Sequence, residues 1–287
     1  MPASPETVQC VIATYHEAAR ANDSTCGRKG SVVVLGPRNA GDVMVTGDLH
    51  GNRLNFGKLL EVADLEGNPR RHLVMQEVCH GGPVYPQGGC MSHLMLEDVA
   101  RLKTQFPDRF HFLLSNHELS EWTDYPIVKA SRMLNLTFRC GMKAQYGAAA
   151  DQVREAMLGF LSSCPLAVRL SNGVFISHSL PEGADARAFD ASVFDRPIRP
   201  GDLYGEGAVF RLVWGRDYRE ANAAAFAKTV GARVLVNGHE PCPDGFQAPN
   251  DYQLILDCAG PACAYVVIPV GEVVTHQQLV QRVERLE

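Results

Sequence analysis

Four short apolar runs in this chain stop abruptly at residues that bind metals, and a fifth runs into a carboxylate. They are Val45-Thr46-Gly47-Asp48-Leu49-His50-Gly51, Phe110-His111-Phe112-Leu113-Leu114 before Ser115-Asn116-His117-Glu118, Gly173-Val174-Phe175-Ile176-Ser177-His178, Arg233-Val234-Leu235-Val236-Asn237-Gly238-His239, and His72-Leu73-Val74-Met75 before Gln76-Glu77. Runs this short read as buried strands. A single histidine after such a run is ordinarily structural. Several independent strands that all end in ligand-type residues make sense only if those ends converge, which restricts the fold to one that gathers strand termini at one place. Asp48 and His50 lie two apart and share a strand face, with Gly47 and Gly51 permitting close backbone approach. Their hard oxygen and borderline nitrogen suit manganese, iron or zinc better than calcium. Asn116 offers a neutral amide oxygen that completes a shell built by stronger ligands. His117 is then held close to the metal without binding it.

Between the strands the apolar spacing becomes helical. Met95, Val99, Leu102 and Phe106 recur at intervals of four, three and four, as do Val153, Met157, Phe160 and Cys164. These stripes predict core-facing helices, and strands alternating with helices predict an α/β layered architecture. A helix is expected from about Pro5 to Arg20, then a polar turn Ala21-Asn22-Asp23-Ser24 and a first strand near Ser31-Val32-Val33-Val34. Residues 1–30 are thus read as an N-terminal helical appendage and residues 31–287 as the main domain.

At 287 residues and 46% hydrophobic composition the chain can bury a large core. Its net charge of −5, with 27 basic residues scattered among 32 acids, excludes the basic footprint of a nucleic-acid backbone binder. Nine cysteines without regular spacing, and no signal-like apolar segment after Met1, predict free thiols and a reducing cytoplasm. No run approaches the ~18 apolar residues of a membrane span. Oligomeric state is not legible.

The order of these motifs resembles the calcineurin-like metallophosphoesterases, and within them the phosphoprotein phosphatase branch, over about residues 41 to 270. That family carries Gly-Asp-x-His-Gly, Gly-Asp-x-x-Asp-Arg-Gly, Gly-Asn-His-Glu, a His-Gly-Gly type segment and a Gly-His or Ala-His segment; all but the second are recognisable here in order. The resemblance implies a four-layer αββα sandwich of two mixed β-sheets flanked by helices. It implies two divalent ions, manganese by family habit, with iron or zinc as alternatives. One would be held by Asp48, His50 and Glu77, the other by Glu77, Asn116, His178 and His239, and His117 would give a proton to the leaving oxygen.

The second motif departs from the family. Matching spacing puts Glu77 at the bridging carboxylate, His80 where a second aspartate orients the histidine of Asn-His-Glu, and Gly81 where an arginine grips the phosphate. Glutamate preserves the anionic oxygen that two neighbouring cations need between them. Gln76 and His80 remain alternatives to Glu77 as the ligand from this segment, and His80 is a second catalytic candidate. Arg53, Arg216 and Arg219 are candidates for the missing grip, the latter two because Val213-Trp214-Gly215-Arg216-Asp217 resembles a family segment that precedes such an arginine. General acid help amounts to ~10²–10⁴-fold, against up to ~10²¹-fold for phosphate monoester hydrolysis, so a damaged acid dyad would slow an enzyme without silencing it. The expectation is a phosphomonoester hydrolase, with phosphoserine or phosphothreonine protein as the first substrate. Alternatives are a dinucleoside polyphosphate hydrolase of the same branch and, from another class, a phosphate-sensing pseudophosphatase. Two irregular stretches, Gly82 to Cys90 and about Pro181 to Glu206, are the expected substrate surfaces.

Overall fold

Side-chain alternation along each strand decides the layering, because successive residues point to opposite faces of a sheet. Val43, Val45, Val74, Ile176, Val236 and Leu256 enter one core. Their chain neighbours Met44, Leu73, Phe175 and Leu235 enter another, shared with the helices. Strands apolar on both faces must be covered on both, and the computed structural model, which describes residues 2–287, does this with two stacked sheets and outer helices. One sheet has five strands, in the order Val283–Arg285, Ala264–Pro269, Asp42–Asp48, Arg71–Gln76 and Phe110–Leu113. The other has seven, in the order Arg28–Lys29, Val32–Leu35, Ala167–Leu170, Val174–Ser177, Val234–Asn237, Gln253–Leu256 and Phe246–Gln247. Both mix parallel and antiparallel pairs. The chain is therefore the expected two-sheet sandwich flanked by helices.

The helix Ser92–Gln105 buries Met95 and Val99 as expected, while Leu102 and Phe106 are only partly buried. The helix Ala150–Ser163 buries Val153, Met157 and Phe160, and Cys164 follows them into the core. The N-terminal helix differs from its expectation. It runs from Pro5 to Ser24, capped by Ser4, whose hydroxyl accepts from the Thr7 N–H at 3.2 Å. The anticipated polar turn at 21–24 is helical instead, because Asn22 is buried and its side-chain amide donates to Ser163 Oγ at 2.9 Å. Val8, Val11, Tyr15 and Ala18 enter the same core as Phe160, so this helix packs against the body of the chain. No helix among the described residues is long and apolar enough to cross a membrane.

Two histidines lie side by side on adjacent strands, His72 Nδ1 3.0 Å from His111 Nε2, with stacked rings. Burial pushes His111 well below the usual imidazole range, and burial also lowers His72. With folded pKa values below the unfolded ~6.5, the unfolded chain takes up protons that the folded chain refuses. Stability is then complete above that value and is lost as pH falls below it. Replacing His111 with Gln, which keeps an amide beside His72, should make the fall shallower in urea titrations across mildly acidic pH. An unchanged slope would acquit the pair.

Candidate metal centre

Parallel strands bring their C-terminal ends to one side, and in open α/β sheets ligand sites gather there. Asp48 closes its strand, Glu77 follows Arg71–Gln76, and His178 and His239 follow Val174–Ser177 and Val234–Asn237. Asn116 opens the helix Asn116–Thr123 just past Phe110–Leu113. Alternation places Gln76 on the face of Val74 and His178 on the face of Ile176, both between the sheets, and they meet: His178 Nδ1 lies 2.9 Å from Gln76 Oε1. A register shift between Val45 and Asp48 marks a bulge that turns Asp48 toward the second sheet, where its Oδ2 accepts the His239 N–H at 2.7 Å. His50, Glu77, His80 and His239 all have positive φ, half of the eight such non-glycine residues in the described chain. Strain of this kind, of order 1–3 kcal/mol per residue, persists where surrounding structure enforces it.

Two donor groups form, and Glu77 belongs to both: His50, Glu77 and His117, and Glu77, His178 and His239. Glu77 Oε1 lies 2.9 Å from His50 Nε2, and Oε2 lies 3.0 Å from His178 Nε2. Asn116 Oδ1 joins the second group, 2.8 Å from His178 Nε2 and 3.0 Å from His239 Nδ1. Asp48 Oδ1 stands nearby, 3.8 Å from His178 Nδ1.

The donor set fits cations. With its Nδ1 proton given to Gln76, His178 turns the Nε2 lone pair toward the oxygens of Asn116 and Glu77. His50 does the same, its Nδ1 at 3.1 Å from the Cys79 carbonyl and its Nε2 facing Glu77. Among the described residues, Asp48 Oδ1, Glu77 Oε2 and His239 Nε2 are buried without a hydrogen-bond partner. Each such group costs ~1–3 kcal/mol, and a positive ion between them removes the cost. Burial, then the Glu77 carboxylate, raises Asp48 well above the usual carboxylate range. Burial acts upward on Glu77 too, but the imidazoles of His117, His178 and His50 outweigh it and hold Glu77 well below that range. Burial, with His50 and His80 adding to it against Glu77, holds His117 at about 3.

The remaining predicted residues divide. His80 is in neither metal group; its Nδ1 lies 2.9 Å from His117 Nδ1. Arg53 pairs with Asp98, and Arg219 with Asp185 and Asp217, so neither is joined to the cluster by hydrogen bond or ion pair among the described residues. Arg216 pairs with Glu240, next to His239. Gly81 is where the arginine of the family motif would sit; a Cβ there would lie 2.2 Å from the His50 carbonyl oxygen, so this backbone admits no side chain. The stretch Pro181 to Glu206 lines a cleft of about 850 Å³ together with Phe210, Trp214 and Arg216.

Sequence reasoning passed over Glu118, Glu121 and Gly238. Ser115 caps the helix by accepting from the N–H groups of His117 and Glu118. Glu118 accepts from the N–H groups of Val78 and Cys79 and from the Ser115 hydroxyl, shaping the loop that carries Glu77 and His80. The Ser-x-x-Glu spacing is a visible capping signal, although the glutamate here serves another segment. A Cβ on Gly238 would lie 2.2 Å from Asp48 Oδ1 and 2.9 Å from the Gln76 amide carbon. Gly238→Ala should therefore displace Asp48 and Gln76 and lower bound metal while leaving the helical circular dichroism intact; a variant with wild-type metal content would show that the centre does not depend on this approach.

No family model matches the sequence, and no curated protein matches it. Among solved structures, a protein serine/threonine phosphatase from Saccharomyces cerevisiae with similarity to human phosphatase PP5 superposes with a TM-score of 0.71 at 17% identity, covering 98% of this chain and 90% of that one. A cold-active protein-tyrosine phosphatase of a psychrophilic Shewanella species gives a TM-score of 0.57 at 12% identity, covering 93% of this chain and 84% of that one. Identities this low speak to fold alone. The chain shares the fold of these phosphatases, in keeping with the two-sheet sandwich that its motif order implies.

Proposed function

We propose that this protein is a dinuclear metal-dependent phosphatase acting on phosphomonoesters, with phosphoserine or phosphothreonine protein as its substrate class and manganese as its ion. The observation that carries the reading is the division of Glu77, one oxygen toward His50 and the other toward His178. A carboxylate shared in this way suits two cations a few ångströms apart. Asp48, His50 and Glu77 would hold one ion, and Glu77, Asn116, His178 and His239 the other. When bound, the ions supply positive charge against the phosphoryl oxygens and acidify the attacking water.

The chain's own groups do the rest. Gln76 and the Cys79 carbonyl fix which nitrogen His178 and His50 present. His117 is assigned to proton transfer and not to ligation, because its Nδ1 is engaged by His80 and its Nε2 is left to meet the leaving oxygen. An imidazole held at about 3 in the free protein is neutral and carries one proton, so the proton it gives to the leaving oxygen is a second one, taken up on Nε2 with the substrate's negative charge beside it. Arg216, paired with Glu240 beside His239 and lining the cleft, is our choice among the arginines for gripping phosphate.

Protein purified without chelator should carry close to two divalent ions per chain by elemental analysis, and should hydrolyse para-nitrophenyl phosphate with manganese. Glu77→Gln should collapse both occupancy and turnover, while Glu77→Asp retains part of each. A fully active Glu77→Gln would hand the role to Gln76 or His80. Two bound ions without turnover of para-nitrophenyl phosphate, phosphopeptide or diadenosine tetraphosphate would make the protein a phosphate sensor.

Loss of a general acid hurts most when the leaving group needs its proton. His117→Asn should slow a phosphoserine peptide by ~10²–10⁴-fold and para-nitrophenyl phosphate far less, with metal content unchanged. Equal slowing of both substrates would remove the proton-donor role, and loss of an ion would make His117 a ligand.

A further inference from the structure

Glu121 is fully buried, and among the described residues no lysine or arginine pairs with its carboxylate, while the Arg154 guanidinium donates to its backbone carbonyl at 3.0 Å. It lies four residues after His117 on the helix Asn116–Thr123, a spacing that puts both on one helix face. Between them sits the ring of His80. His80 Nε2 is 2.7 Å from Glu121 Oε1, and His80 Nδ1 is 2.9 Å from His117 Nδ1. A backbone conformation and two contacts keep the ring there. The backbone at His80 is left-handed with φ 64°, its N–H donates to Ser92 Oγ at 3.0 Å, and its ring meets Phe138 edge-on at 5.6 Å.

The donor directions in this row follow from one end. Glu121 Oε1 also accepts from the Asn135 side-chain amide at 3.1 Å, so it faces His80 as an acceptor. A neutral His80 ring then carries its proton on Nε2, which leaves Nδ1 as a lone pair. That lone pair accepts from His117 Nδ1, and the nitrogen of His117 left for the leaving oxygen is Nε2.

We infer that Glu121 is a positioning residue of this site, which acts through His80 to set the tautomer and orientation of His117. The inference rests on the reading of His117 as proton donor. Among the described residues, the hydrogen-bonded route from the Glu121 carboxylate to His117 is the His80 ring.

Two measurements test it. In the first, Glu121→Gln is assayed against a phosphoserine peptide and para-nitrophenyl phosphate, with metal content measured in parallel. The expected result is a loss of at least ~10-fold on the peptide, within the ~10²–10⁴-fold span of general acid help, a much smaller loss on the aryl ester, and no change in bound metal. Adding His80→Asp, which places a carboxylate directly behind His117, should restore the peptide-to-aryl ratio in the Glu121→Gln background. A purely structural role would slow both substrates equally and would not be rescued; that result, or an unchanged ratio, overturns the inference. The second is the imidazole nitrogen-15 spectrum of the zinc-loaded wild-type protein at neutral pH. It should show His80 carrying a proton on Nε2 alone and His117 on Nδ1 alone; a proton on His80 Nδ1 or on His117 Nε2 overturns the inference even if a variant fails to fold. Absence of all phosphoester turnover in the wild type would instead defeat the proposed function, and the tautomers would still decide whether the row is ordered from Glu121.

Discussion

Everything at the functional end of this molecule depends on one arrangement: the buried Glu77 carboxylate, with lone pairs of two histidines and an asparagine oxygen aimed at the space around it. Acceptors crowded together out of water repel one another, and only positive charge turns that crowding into a stable site. The opposite pulls on Asp48 and Glu77 express the same frustration. Burial and a neighbouring carboxylate push Asp48 up, while surrounding imidazoles hold Glu77 down. The fold invests in this end and keeps the other end of the strands dry and neutral, with His72 and His111 paired uncharged.

The layering makes such crowding possible. A strand face that ends in Val74 and Gln76 in one sheet opposes a face that ends in Ile176 and His178 in the other, so the last polar residue of each meets across the sandwich. The bulge after Val45 adds Asp48 to that interior. Glycine at 238 then lets the second sheet approach Asp48 and Gln76 closely. The helix Asn116–Thr123 contributes from the side, with Ser115 as its cap, Asn116 and His117 on its first turn, and Glu118 bracing the loop that bears Glu77. Asp48 and Asn116 lie within a strand and a helix, and His50, Glu77, His178 and His239 lie one or two residues beyond strand ends, so rigid elements anchor the donors, as a preorganised site requires.

The altered second motif has a structural account. The segment after Glu77 runs so close to His50 that position 81 tolerates no side chain, which removes the place from which an arginine would reach a phosphate. The histidine at 80, longer than an aspartate, reaches both His117 and a carboxylate one helical turn further on. Loss at one position and a carboxylate elsewhere are thus parts of one local rearrangement.

The sequence alone determined the layers and the places where chemistry-bearing residues fall. Short apolar runs alternate with helical stripes, and the runs end in Asp48, Glu77, Asn116, His178 and His239; period and residue type are local properties that can be read along the chain. The tertiary structure decided what those properties leave open. It docked the N-terminal helix into the core through Val8, Val11 and Tyr15 and carried it past the anticipated turn, because the partner of Asn22 is Ser163, distant in the chain. It made Gln76 the partner of His178, and it set Arg53 and Arg219 in ion pairs of their own. It also aligned Glu121, His80 and His117. A hydrogen bond has a direction and a length of about 3 Å, and which long-range neighbour comes within that length is settled only when the two sheets close on each other.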